Sequence, residues 1–268
     1  MKIATMCLAV WCAVGAWIGP GYADTGPSQD ELNTAAERPD WLLPNHDYAG
    51  QRFVDLQHIT RANASQLRPV CMYNSGDLTN FPTNPLVYDG VLYITTGNVT
   101  VALDAATCVV RWRHDWKPTA KEVHVTVRGA IVNPYRSRGA ALKAGTLVRS
   151  TSDGYLIALD AATGTLAWDK LVRNTEQDEL LGMAPLIYED LVIIGVGVSE
   201  YGVKGWIGAF RLADGERVWR FNTVPNADEP GADTWSNADD RERGGGGVWV
   251  TPPHPPRGHD GCVQRPWA

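Results

Sequence analysis

Short apolar runs separated by turn residues dominate the chain from Trp41 onward, and sustained helical periodicity is hard to find. Asn84 to Thr96 reads NPLVYDGVLYITT, two β-rich runs around Asp89-Gly90, which is a strong hairpin signal. Ala184 to Gly195 reads APLIYEDLVIIG, the same plan with Glu189-Asp190 at the turn. Lys143 to Ser150 and Tyr155 to Leu159 flank Ser152-Asp153-Gly154 in the same way. One short helix is expected within Ile59–Leu67, with Thr60 as cap. Residues 24–40 are polar and contain proline, and read as a flexible or extended lead-in.

A longer period lies over the hairpins. Ala102 to Trp112 reads ALDAATCVVRW, Ala158 to Trp168 reads ALDAATGTLAW, and Ala209 to Trp219 reads AFRLADGERVW. The tryptophans recur roughly fifty residues apart, a spacing suited to propeller blades of four strands each. The Asp and Thr side chains can bond backbone in the turn. Gly164 and Gly215 supply the left-handed conformation that closes it. The strand then resumes and delivers Trp112, Trp168 or Trp219 to one face, where it can dock on the neighbouring blade. The first copy has Cys108 at the Gly position, so its turn must accept a positive φ at a Cβ residue or take another shape. The third has Arg211 for Asp and Asp214 for Thr. A single copy would be an ordinary hairpin; three at similar spacing predict an all-β, partial propeller over residues 41–250. After that comes a Pro-rich stretch, residues 251–268, that reads as an irregular tail.

The first 23 residues carry Lys2, an apolar run from Ile3 to Trp17 and a small-residue site ending at Ala23, the pattern of a secretory signal peptide. The apolar run is shorter than the roughly 20 residues that span a bilayer. An exported, periplasmic protein without a transmembrane span after cleavage is expected. The formal net charge of −6 and the lack of a basic run argue against nucleic acid as a partner. Beyond the leader, Cys71, Cys108 and Cys262 remain. The preferred disulfide is Cys71–Cys108, which could hold the first turn, although the sequence leaves the pairing open.

Three further segments narrow the reading. GQRFVDLQHITRANASQLRPV (Gly50 to Val70), SEYGVKGWIGAF (Ser199 to Phe210), and FNTVPNADEPGADTW followed by GGGGVW (Phe221 to Trp249) together resemble the pyrroloquinoline-quinone (PQQ) dependent alcohol dehydrogenases. The likeness covers roughly residues 41–249, corresponding to the N-terminal part of that family's eight-bladed domain. It implies about three to four blades of a tryptophan-docked propeller, with PQQ and Ca²⁺ or a lanthanide as cofactors. A small alcohol would be the substrate and a cytochrome c the electron acceptor. Residue by residue, it places Glu200 as a carboxylate ligand of the metal, apt for a hard cation. It places Arg138, in SRGAA, as a guanidinium near the quinone oxygens. Trp249 becomes the aromatic on which the flat ring stacks, reached by a glycine run that lets backbone approach the cofactor.

The departures matter equally. Many relatives carry adjacent cysteines before the Arg-Gly step, where this chain reads VNPYRSRG, and an acid where it reads LTNFPTNP. The family's second metal ligand and catalytic Asp lie downstream of the glycine run, in a region this chain lacks, and Asp260, in GHDGC, does not take that role. The resemblance thus implies a truncated form with weak or absent activity and no catalytic residue identified. The rival expectation is a non-catalytic scaffold propeller of the outer-membrane assembly type, which would share the Trp turns.

Overall fold

A computed structural model describes residues 26–77, 82–127, 130–132 and 135–254. The leader, Cys262 and Asp260 lie outside the described residues, as does part of LTNFPTNP.

Three four-stranded antiparallel sheets follow one another along the chain, each in simple sequential order. Blade 1 holds β1 (Leu86–Tyr88), β2 (Val91–Thr95), β3 (Val99–Asp104) and β4 (Val110–Asp115). A two-stranded excursion, β5 (Val125–Val127) and β6 (Ala130–Val132), leads on. Blade 2 holds β7 (Ala141–Lys143), β8 (Thr146–Ser150), β9 (Tyr155–Asp160) and β10 (Leu166–Leu171). Blade 3 holds β11 (Leu186–Tyr188), β12 (Leu191–Gly195), β13 (Trp206–Arg211) and β14 (Arg217–Asn222). The Asp89-Gly90 turn has both φ angles positive (46° and 70°), as a two-residue hairpin requires.

The three Trp-bearing turns share one geometry. Gly164 and Gly215 have φ 73° and 72°, and Cys108 adopts the same conformation at 59°. Its partner is Cys71, in a disulfide that ties the segment before blade 1 to the turn. Asp104 and Asp160 each accept from two backbone N–H groups and the Thr hydroxyl of their turn. In the third copy an Arg211–Asp214 ion pair at 2.9 Å replaces that arrangement, and Asp214 accepts from the Glu216 N–H. Each final hairpin shifts register just before its Trp.

The blades are joined as the repeat implies. The Trp112 indole N–H donates to the Ala161 carbonyl of blade 2 at 2.8 Å, and Trp168 donates to Leu212 of blade 3 at 3.0 Å. A Cβ added at Gly164 would lie 2.5 Å from the Trp112 ring, and one at Gly215 2.7 Å from Trp168. Each ring therefore rests on the next blade's turn glycine. Between the sheets, Leu86 and Tyr93 of blade 1 pack with Leu147, Ile157 and Leu159 of blade 2. Val148 and Leu156 of blade 2 pack with Val192, Ile194 and Trp206 of blade 3.

Two expectations about the irregular segments need correction. The lead-in folds: Ser28 and Glu31 form a capping box that starts α1 (Gln29–Asn33), and Leu32, Ala35, Leu42 and Leu43 are buried against Leu186, Ile193 and Ala209 of blade 3, with Trp219 at the margin. Gln29 also ties the first hairpin turns of blades 2 and 3, accepting from Lys143 and from the Glu189 N–H. The helix placed within Ile59–Leu67 is only a 3-10 turn at Ala64–Gln66; the Asn63 side chain accepts from the Thr60 N–H and closes the segment locally. The start of the tail is irregular but held: Thr251 donates to the Ala184 carbonyl, and buried His254 stacks on Tyr188 at 4.1 Å. Among the described residues no helix is long and apolar enough to cross a membrane.

Candidate functional site

Three loops, together with the stretch before blade 3 that carries Leu180 and Gly182, meet at one cavity of about 290 Å³. The first is the approach to blade 2, residues 135–139, in irregular extended backbone. Ser137 points into the core, where its hydroxyl meets that of Thr95 at 2.8 Å, so Arg136 and Arg138 on either side face the cavity. The Asn84 N–H donates to the Arg138 carbonyl and fixes this segment against blade 1.

The second loop leaves β12 and carries Glu200 in a single 3-10 turn, Ser199–Tyr201, entered and left through left-handed residues Val198 and Gly202. The third is the glycine run. It does not leave backbone room for a ligand alone; it lies directly on the second loop. Gly205 donates to the Gly245 carbonyl at 2.8 Å, Gly245 to Val203 at 3.1 Å, and Val248 to Val196 at 2.7 Å. A Cβ at Gly205 would sit 2.1 Å from the Gly246 carbonyl oxygen, and one at Gly244 2.5 Å from Gly202. The glycines are there because two backbones touch, and that contact carries Trp249 to the rim.

Arg138, Glu200 and Trp249, separated widely in sequence, therefore line the same cavity with Arg136, Tyr135 and Tyr201. The Arg138 guanidinium lies 4.9 Å over the Trp249 ring, and its Nη1 donates to the Gly182 carbonyl at 3.2 Å. Gly182 is a fitted floor: a Cβ there would lie 2.8 Å from that nitrogen. Partial burial lowers the Arg138 pKa, the nearby charge of Arg136 lowers it further, and Glu200 opposes both. Trp249 remains 52% exposed and Glu200 is exposed, so the cavity opens to solvent at these two side chains.

The blade-docking tryptophans and the Cys71–Cys108 bridge are not in this lining. Arg136 was missed from sequence; the Arg-Ser-Arg alternation on extended backbone was its available signal. As a metal centre the cavity is incomplete. Glu200 is the one acid in its lining, and among the described residues no cluster of three His, Cys, Asp or Glu could hold an ion.

Sequential four-stranded antiparallel sheets docked by tryptophan define a class of propeller protein. The sequence model of the PQQ-type glucose/ethanol/alcohol dehydrogenase β-propeller domain matches residues 41–252, and the chain belongs to that family. It is similar to the dehydrogenase subunit of the quinone alcohol dehydrogenase of Gluconacetobacter polyoxogenes, at 34% identity over 84% of this chain and 33% of that protein. It is also similar to the lanthanide-dependent methanol dehydrogenase of Methylacidiphilum fumariolicum, at 30% identity over 74% of this chain and 33% of that protein. Among solved structures, the quinohemoprotein alcohol dehydrogenase ADHIIG of Pseudomonas putida superposes with a TM-score of 0.75 at 28% identity, over 85% of this chain and 34% of that one. The chain spans about a third of the length of the curated relatives it matches. These likenesses favour a dehydrogenase propeller over the scaffold alternative.

Proposed function

We propose that the cavity is this chain's share of a PQQ site, and that the protein is an alcohol dehydrogenase-like quinoprotein. The observation that carries it is the convergence of Arg138, Glu200 and Trp249 on one cavity of about 290 Å³. The donor set fits the group. Trp249 offers an exposed aromatic surface for stacking, and Arg138 a planar fork of donors for ring oxygens. The Gly182 floor leaves the fork room to stay beside the ring. When bound, the quinone supplies a hydride acceptor for alcohol oxidation. The protein's part is to hold it flat, place positive charge where negative charge develops, and exclude water from the covered face.

For the metal, Glu200 is one oxygen donor toward Ca²⁺ or a lanthanide, hard cations that take roughly six to eight oxygens. The described residues supply too few donors for that shell. Among the described residues of the lining, Glu200 is also the one carboxylate that could accept an alcohol proton. Quinone binding with weak or absent turnover is the expected behaviour. In complete relatives the electron acceptor we propose is a cytochrome c, which appears in the name of the methanol dehydrogenase of Methylorubrum extorquens. Export to the periplasm, through cleavage near Ala23, belongs to the same proposal.

The test is titration of the purified chain with PQQ, read by the quinone absorbance band and by tryptophan fluorescence. Saturable binding that Trp249→Ala and Arg138→Ala each weaken about tenfold or more is expected. Absence of binding overturns the site. Ordinary enzymatic rates on primary alcohols, with PQQ and Ca²⁺ added, overturn the expectation of weak turnover.

A further inference from the structure

A second cavity, of about 510 Å³, lies where the lead-in, the stretch that begins at Asp47, Tyr188 of blade 3 and His254 meet, and it shares no lining residue with the first. Two carboxylates, Asp30 and Asp47, line it, and no Lys or Arg does.

Asp47 is the unusual member. Only 6% of it is exposed. Its Oδ1 accepts from the Gln51 N–H at 3.1 Å, while its Oδ2, shut off from solvent, has no partner. A carboxylate oxygen is costly to bury without a donor or a cation. The basic residues that flank it in sequence are committed elsewhere, Arg38 to Glu31 at 2.9 Å and to Asp40 at 3.6 Å, and Arg52 to Asn45 at 2.8 Å. Lys143, which reaches the lead-in, bonds Gln29 and the Glu189 carbonyl. Arg38 Nε and His46 Nδ1 also lack partners, but neither residue lines this cavity.

Aromatic rings stand beside the acids. His254 stacks on Tyr188 at 4.1 Å, and Tyr48 meets Tyr188 edge-on at 5.8 Å. The Tyr48 hydroxyl donates to the Ile187 carbonyl at 2.6 Å and accepts from Gln29 at 3.1 Å, neither of which lines the cavity, so its ring is what remains for a ligand. A bare metal ion does not suit this lining, because among the described residues no three His, Cys, Asp or Glu come together to hold one. A carboxylate beside aromatic rings suits an organic cation, whose charge meets the oxygen and whose methyl groups meet the rings. We propose that this cavity is a binding site for an alkylated ammonium ion, with Asp47 as counter-ion and Tyr188 as aromatic wall. The proposal does not depend on the quinone reading of the first cavity.

The experiment titrates the purified chain, by calorimetry, with acetylcholine and with 3,3-dimethylbutyl acetate, which has the same shape with carbon in place of the charged nitrogen. Asp47→Asn, Tyr188→Leu and Tyr188→Phe are titrated alongside, and thermal midpoints are measured. The wild type is expected to bind the ammonium saturably, at least about tenfold more tightly than the neutral ester. Asp47→Asn and Tyr188→Leu are each expected to weaken that binding about tenfold, and Tyr188→Phe, which keeps the ring, to retain it. Should Asp47→Asn not fold, the wild-type chain decides by itself. Equal binding of the two esters, binding of neither, or displacement of acetylcholine by an equal concentration of potassium chloride overturns the proposal. Wild-type affinity in a folded Asp47→Asn chain also overturns it, and leaves the buried oxygen to water alone.

Discussion

At the scale of single residues, the turn glycines have two separable duties, and the chain contains its own control. Gly90 has φ +70° with nothing within 4 Å of the place a Cβ would occupy, whereas Gly164, at φ +73°, has the Trp112 ring at 2.5 Å. Gly90→Ala should therefore lose only the conformational part, about 1 kcal/mol, and Gly164→Ala at least about twice that, because the ring must also move. Urea unfolding midpoints check the difference; equal losses would show that the stacked ring contributes nothing. Asp153 gives a pH signature. Burial opposes its ionised form, but hydrogen bonds from Thr151, Ala120, Thr119 and Trp116 outweigh that and leave its pKa below the ordinary value. A folded pKa below the unfolded one means that its stabilisation is present above the unfolded value, about 3.9, and is lost as pH falls through the folded one. Asp153→Asn should be destabilised at neutral pH and should flatten the acid side of the stability profile below pH about 4, read by urea midpoints across pH. Of these roles the sequence showed only part. Asp89-Gly90 and the turn glycines were legible because φ preference is local. The ring lying on Gly164 was not, because it belongs to another blade.

At the scale of elements, hairpins and Trp turns were legible for the same local reason, and the lead-in was not. A helix of five residues has no periodicity to read; Ser28-x-x-Glu31 was its one written signal, and burial of Leu32 against blade 3 holds it. The Cys71–Cys108 bridge belongs to this scale too. It closes a loop with a sequence separation of 37, for which chain entropy gives about 3–4 kcal/mol. The reduced chain should show a lower urea midpoint by that order, with the loss larger than in a Cys71→Ser variant's own response to reductant. A reduced chain as stable as the oxidised one would remove the bridge from the account. The candidate site was legible as residue types in a familiar order, yet the reason for the glycine run was not. It follows from contact between two loops that β13 and β14 separate along the chain.

At the scale of the whole molecule, stability runs between neighbours. Blade 2 is gripped on both faces, by Trp112 from one side and by its own Trp168 on the other. Hydrogen exchange should reveal this as a nearest-neighbour pattern. Trp168→Ala should raise exchange in β9 and β13, which face each other across that interface, and leave β2 and β3 of blade 1 close to wild type. Uniform loss of protection across all three blades would mean that the chain opens as one unit instead. Partial charge follows the same layering. Arg149 bonds carbonyls of blade 1 from blade 2 and reaches Tyr135 at the cavity, so a change at that blade contact reaches the site through one side chain.

The glycine that receives each ring sits in the same short phrase as the next ring. One repeat therefore encodes both a plug and the socket for its predecessor's plug. Copying such a phrase end to end creates a matching joint at every seam without any further mutation, so a gene could lengthen or shorten its product by whole blades and keep each new contact sound. Cys108 marks where that grammar is broken: its turn keeps the socket's backbone shape but carries a side chain already committed to Cys71.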